Sequence, residues 1–422
     1  MSITDNLNNL QNNIENAKSI LVNNLTEKGV TSVTTSSTLT VLATSVSDIP
    51  SSGGGGEWTQ PNNMLFSFED ASNIIIPDLT GLKLTNTKSM FQSKTASTIT
   101  FNNTFDTSNV TDMSSMFSSA WKLKNLDLSN FNTSKVTDMS SMFYACNSLT
   151  SLDLSSFVTS ACTKMNRIFE GCSSLPSLNV SNFNTLNVTD MSSMFKQCGV
   201  ITELDITSFD TSKVTNMVEM FKSCNSLTSL DLSNFDTSNV TSMEYMFEYC
   251  TSLTSVDVSN LDTSNVTNMR YMFDGCSGLT SLDLSSFDTS NVISIDAMFN
   301  NCKNLEKIDG YISFKSYSSS TMSNAFFWGY SKNTSIKKLT FKDIGYITNA
   351  NQFNMLYAEN WGVNTDTIQD AKQSIVDSLV TYSFDRATAG YSTCTITLST
   401  TTKALLTEDE IAAITAKGFT IA

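Results

Sequence analysis

The sequence predicts a β-rich repeat solenoid, and three observations predict it. A phenylalanine returns every 26 residues at Phe91, Phe117, Phe143, Phe169, Phe195, Phe221, Phe247, Phe273 and Phe299, with no insertion or deletion. The intervening residues keep one pattern, approximately F-D-T-S-N-V-T-D-M-S-S-M-F-x-x-C-x-S-L-T-S-L-D-L-S-N. Hydrophobic residues make up 40% of the 422-residue chain and charged residues only 15%, so the surface is hydrogen-bonding rather than ionic. A fixed period is what stacked coils demand, because each turn must lie on the next.

The chain divides into five parts. Residues 1–30 carry Ile3, Leu7, Leu10, Ile14, Ala17 and Leu21 at alternating steps of four and three, a heptad seam. This predicts a helix for oligomerisation or attachment, either as a homotrimer, the favoured count, or against another protein. Residues 31–56 are a Ser/Thr/Gly linker ending in Gly53–Gly56. Residues 57–100 read as an N-terminal cap and degenerate repeat, since a terminal coil must cover an open face. Residues 101–357 form the solenoid, with the period drifting to 27 at Phe326 and Phe353. Residues 358–422 read as a C-terminal α/β cap. It has an amphipathic helix over 366–382, a strand over 393–399 and a helix opened by the capping box Thr407–Glu410. Gly418 ends that helix and a last strand follows.

Within one coil, Leu149–Ser155 has the spacing L-x-x-L-x-L, with Leu152 and Leu154 inward and Asp153 outward on a short strand. Such strands recur over 123–128, 227–232, 253–258 and 279–284, to pair in parallel at about 4.8 Å. Val136–Phe143 has apolar residues at helical spacing after Asp138. This predicts one short helical turn per coil, N-capped by Asp112, Asp138, Asp190, Asn216 or Asn268. The Met and Phe stripe reads as core.

The charge excludes several functions. A net charge of −15, from 40 acidic and 25 basic residues, argues against nucleic acid and anionic lipid. No histidine is present, which removes the commonest general base and metal ligand. Nucleophile-elbow and phosphate-loop motifs are absent, so no enzyme is expected. No stretch approaches the roughly 18 apolar residues of a membrane helix. The first residues lack a secretory pattern, which predicts delivery by another route such as lysis.

Three rows merit attention as candidate sites. Cysteines recur from Cys146 to Cys302 at the same period. They read as small buried residues, because parallel Cβ vectors suit disulfides poorly; Cys162 and Cys394 read as free thiols. Asp127, Asp153, Asp205, Asp231, Asp257, Asp283 and Asp309, with Asn179 between, form an outward acidic row. Their mutual repulsion has to be relieved by flanking Ser or Thr hydroxyls and backbone groups, or by cations, calcium being the alternative to a cofactor-free chain. A polyhydroxylated ligand is a further use for that row. After the shared Met the coils vary, reading Ser-Ser, Asn166-Arg167, Val218-Glu219, Glu244-Tyr245 and Arg270-Tyr271. Tyr245, Tyr249, Tyr271 and Arg270 are the expected ligand contacts on that ridge.

The runs F-D-T-S-N-V-T-x-M and M-F-x-x-C-x-S-L-T-S-L-D-L-S resemble the BspA-like leucine-rich repeats of bacterial surface proteins, over residues 85–315 strongly and 316–357 weakly. The resemblance implies a leucine-rich-repeat solenoid used for adhesion without catalysis. The heptad start, together with the endings S-F-D-R-A-T-A-G-Y and A-I-T-A-K-G-F-T-I-A, resembles tail-fibre or baseplate proteins of phages infecting gut bacteria. That implies a virion location and a host cell-surface receptor as partner, with a bacterial surface adhesin or a purely structural virion component as alternatives.

Overall fold

A computed structural model describes residues 39–42, 65–68, 72–76, 84–313, 338–342, 375–381, 394–396 and 403–421. The heptad residues Ile3–Leu21 and the glycine linker lie outside the described residues. Strand β1 (Leu39–Leu42) pairs antiparallel with β2 (Leu65–Phe68). The solenoid opens with β3 (Asn73–Ile75), β4 (Thr98–Thr100) and β5 (Asn125–Leu126) in one parallel sheet. It ends with β6 (Ser281–Leu284), β7 (Lys307–Ser313) and β8 (Lys338–Lys342) in another. Phe326 and Phe353, where the period drifts to 27, lie outside the described residues; β7 and β8 pair at offsets of 31 for Lys307 with Lys338 and 29 for Ser313 with Lys342.

Between those sheets the expected strand per coil is not formed. What joins successive coils is a ladder of single parallel bridges from Asn86 through Asp112, Asp138, Lys164, Asp190, Asn216, Ser242 and Asn268 to Ser294. The Leu-rich segment still alternates inward and outward as predicted, with Leu154 buried and Asp153 exposed.

The predicted helical turn is also corrected. In the coil at Phe117, the N–H groups of Met113, Ser115, Phe117 and Ser119 donate to carbonyls of Asp138, Ser140, Met142 and Tyr144 on the next coil, at 2.6–3.0 Å. The intervening N–H groups of Met116, Ser118 and Ala120 close three-residue turns. A helix would use the same donors internally, whereas stacking uses half of them to join coils. The backbone bends accordingly: Ser115 and Ser119 have φ of 56° and 60°, and both positions repeat in every coil to Ala297 and Asn301. Each left-handed residue costs about 1 kcal/mol, which the inter-coil bonds offset. Asp112 and Asp138 accept from the N–H two residues on, as a cap would, but no helix follows.

The core is a set of side-chain ladders. The ladder phenylalanines from Phe91 to Phe299 are fully buried. Their rings stack at 5.4–5.9 Å within 16° of parallel. Each ladder cysteine is buried and donates its S–H to the phenylalanine carbonyl of the coil before, at 3.0–3.3 Å. Burial pushes the Cys146 thiol up to about 12 and the thiols of Cys172 to Cys276 well above the usual value, so they stay protonated. Cys162 is likewise buried and free; the side chain of Cys394 lies outside the described ones.

Threonines supply a second hydrogen-bonded ladder, which the repeat pattern did not announce. From Thr107 to Thr263 each buried hydroxyl donates to a carbonyl on the next coil at 2.8–3.0 Å. Five of them also accept the N–H of the same residue, at 2.7–2.8 Å.

Beyond the coils, a π-helical turn (Asp377–Thr381) lies within the predicted 366–382 helix and packs on β8. Helix α1 (Glu408–Ala416) starts with the predicted capping box, Thr407 Oγ1 accepting from Glu410 N and Glu410 Oε2 accepting from Thr407 N. Gly418, at φ +86°, turns the chain into β10 (Phe419–Ile421), parallel to β9 (Cys394–Ile396).

Candidate recognition ridge

The aspartate row and the variable ridge have different characters. Asp127, Asp153, Asp205, Asp231, Asp257 and Asp283 are all exposed, and each Oδ1 accepts the N–H two residues on at 2.8–3.1 Å. The N–H and hydroxyl of Ser129 and Ser155 hold Asp127 and Asp153 below the usual carboxylate range. The hydroxyls and N–H groups of Thr207, Ser233 and Ser259 do the same for Asp205, Asp231 and Asp257. Local turns therefore relieve the repulsion along the row. Among the described residues no three His, Cys, Asp or Glu side chains gather to hold a metal ion. Asp309 continues the row beside Asp283 and is paired with Lys307 at 2.6 Å.

On the ridge, the position after the ladder phenylalanine carries, from Phe169 to Phe273, a charged row that the sequence reading missed. Glu170, Lys196, Lys222, Glu248, Asp274 and Asn300 follow one another at the 26-residue period, and this register was the signal that could have found them. Arg167 pairs with Glu170 at 3.5 Å, and Lys196 bridges Glu170 at 3.5 Å and Glu219 at 2.6 Å. Lys222 bridges Glu219 at 3.1 Å and Glu248 at 2.5 Å. Glu219 stands between the two lysines, so each ammonium group of this cluster lies between two carboxylates.

Tyr245 and Tyr271 stack at 4.8 Å, and Lys222 stands 4.2 Å from the Tyr245 ring on the coil before. Arg270 lies 5.4 Å from the Tyr271 ring and pairs with Glu244 at 3.7 Å and Asp296 at 3.4 Å. Of the four residues expected to contact ligand, these three are half-buried and engaged with one another. Tyr249 alone is exposed, at 43%.

Tyr245, Tyr249 and Tyr271 have φ of 60°, 58° and 56°, where most other coils place Ser, Ala, Gly, Gln or Asn. A bulky residue in left-handed backbone is uncommon and marks a position worth a functional hypothesis. Beside Tyr249, burial pushes the Asp274 carboxyl up to about 6, opposed by hydrogen bonds from Asn301 and Asn300 and reinforced by Glu248. The amides donate at 3.2 and 3.0 Å. Because the folded value lies above the ordinary aspartate value of 3.8, the folded chain holds this proton more tightly. Stability from Asp274 is present at low pH and is lost as pH rises through that window. Asp274→Asn should therefore match the native chain in thermal melting near pH 4 and exceed it at pH 7. Parallel melting curves for the two proteins at every pH would contradict this.

One family model matches the chain in four overlapping tandem stretches, residues 62–177, 146–230, 222–339 and 251–375. Overlap is expected of interchangeable coils. No curated protein matches the chain. Among the described residues no helix is long and apolar enough to cross a membrane. The tandem matches together span well over half of the sequence, and the chain belongs to the family described as "Mycoplasma protein of unknown function, DUF285".

Proposed function

We propose that this chain is a non-catalytic binding protein, a leucine-rich-repeat solenoid of the BspA-like kind that presents its ridge to a bacterial cell-surface glycan or protein. The observation that carries the reading is the contrast between a nearly uniform interior and a ridge where tyrosines occupy left-handed positions filled in most other coils by smaller residues. Its setting, in this reading, is a phage tail fibre or baseplate. The heptad segment around Ile3–Leu21 joins three copies or docks on another tail protein, and the C-terminal α/β unit caps the rod. Weak sites on three copies then gain avidity through a shared base. A bacterial surface adhesin is the second reading, favoured by the repeats alone. Neither reading requires a cofactor, and calcium on the aspartate row is the alternative.

Binding of the labelled chain to a panel of gut bacterial isolates tests this, with cells treated by periodate or by protease and the assay repeated in chelator. Saturable binding to some isolates, abolished by one treatment, is the expected outcome. Residues 57–422 alone should bind on the order of 10²–10⁴-fold more weakly. Absence of saturable binding to every isolate sinks the receptor-binding reading, and loss in chelator alone moves the weight to calcium.

A further inference from the structure

Of the ridge residues, only Tyr249 offers an aromatic surface that the protein does not itself cover. Its ring is turned along the rod over Gly275, where an added Cβ would come within 2.4 Å of Tyr249 Cδ1 and 2.8 Å of Cε1. The coil that follows must therefore have glycine there, and Gly275 also takes φ +73°. The tyrosine fills the place of a side chain at 275, Asn301 is the next residue in that register, and Asp274 is a neighbour of both. Asn301 is held by its amide nitrogen, which donates to the buried carboxyl of Asp274 at 3.2 Å. The Tyr249 hydroxyl makes no hydrogen bond among the described residues.

We propose that Tyr249 and Asn301 form a subsite for one pyranose ring of an uncharged glycan. The sugar's C–H face rests on the exposed tyrosine, and its hydroxyls meet the Asn301 amide oxygen and the Tyr249 hydroxyl. The inference rests on the receptor-binding reading and narrows its ligand. A protein partner would want a cluster of apolar anchors, since hot spots gather at a desolvated centre. Here one ring stands among amides and hydroxyls: Ser223 precedes it in the register, and Thr251 and Ser277 nearby in the chain are half-buried. An aromatic body with polar edges suits a sugar, which has an apolar face and a hydroxylated rim. Glu244, Glu248 and Asp274 on the same ridge, in a chain of net charge −15, disfavour uronic and sialic acids. Asp274 acts as a positioning residue, fixing the amides of Asn300 and Asn301.

A single shallow contact of this kind corresponds to a dissociation constant on the order of 1 mM. Saturation-transfer NMR on the full chain fits that range, with methyl glucoside, methyl galactoside, methyl mannoside and N-acetylglucosamine as probes. Transfer to the ring protons of at least one sugar is expected from the native chain and from Tyr144→Ala. It should be lost in Tyr249→Ser, which folds safely because Ser93, Ser119 and Ser223 already occupy this register with φ near 60°. Gly275→Ala should also lose transfer, by displacing the ring. No transfer to any of the sugars, or equal transfer in Tyr249→Ser, overturns the subsite. If Tyr249→Ser still binds cells as the native chain does, receptor binding stands and this location for it fails.

Discussion

Phe195→Ala should lose about 3–5 kcal/mol of folding stability, the range for emptying a fully buried phenylalanine site. Phe195 has no exposed surface, and its ring lies 5.8 Å from Phe169 and from Phe221 along the ladder. A third ring, Phe209, sits 6.4 Å away. Three kinds of contact are lost at once: apolar burial, the two stacking faces, and the side contact from the second phenylalanine row. Neighbouring coils cannot close the gap, because the bonds from Phe169 N to Met194 O and from Phe195 N to Met220 O fix the spacing on both sides. The second row behaves differently. It runs Phe183, Phe209, Phe235 and Phe287 but accepts Leu261 in between, also buried. Phe235→Leu should therefore cost less than about 1.5 kcal/mol. Urea unfolding followed by circular dichroism distinguishes the two, and equal midpoints would mean that ring stacking is not what holds the rod.

The solenoid was legible because a core ladder leaves a strict trace. Any slip in the spacing of Phe91 to Phe299 would break ring-on-ring stacking, so period and structure carry the same information. The inward leucines and the capping box at Thr407 were readable for the same reason, since side-chain pattern alone determines them. Backbone conformation was not. Val-x-x-Met-x-x-Met-Phe has helical spacing, yet Ser115 and Ser119 take positive φ in order to send N–H groups to the next coil. Helical periodicity reports which side chains face inward, and a train of tight turns can place the same residues inward. Strand assignment failed similarly in the middle coils, where bridges at Asp138 or Asn216 replace a continuous ladder.

At the ridge, the tyrosines were visible as departures from the repeat, but their engagement was not. Stacking on Tyr271 and the cation at Lys222 depend on which way left-handed residues project, and the sequence does not encode that in its spacing. The charged row Glu170, Lys196, Lys222 and Glu248 is present in the register. The hydrophobic period does not reveal it, because the position just after each phenylalanine lies outside the apolar pattern. Register, in this rod, is held by two systems with different reach. Stacked rings attract any coil to any other, whereas the ion pairs from Arg167 to Glu248 each need one particular neighbour.

Thr211→Val should destabilise far more than Thr211→Ser, although valine matches threonine in shape. The Thr211 hydroxyl is buried, donates to the Asp236 carbonyl at 2.9 Å and accepts the Asp236 N–H at 2.8 Å. One side chain thus satisfies both polar backbone groups of a residue on the next coil. Valine removes both partners and puts a methyl group where water would have to enter. Each orphaned group costs about 1–3 kcal/mol, so the expected loss is several-fold larger than for an ordinary surface substitution. Serine keeps both bonds and gives up one methyl, on the order of 1 kcal/mol. The difference between the two variants therefore isolates the hydroxyl from the packing. Hydrogen exchange at the Asp236 amide supplies a local readout, with protection falling sharply in the valine variant and little in the serine one. The same row continues through Thr133, Thr159, Thr185, Thr237 and Thr263, so the experiment can be repeated coil by coil. A valine variant as stable as the serine one would assign coil-to-coil cohesion to the apolar ladders alone.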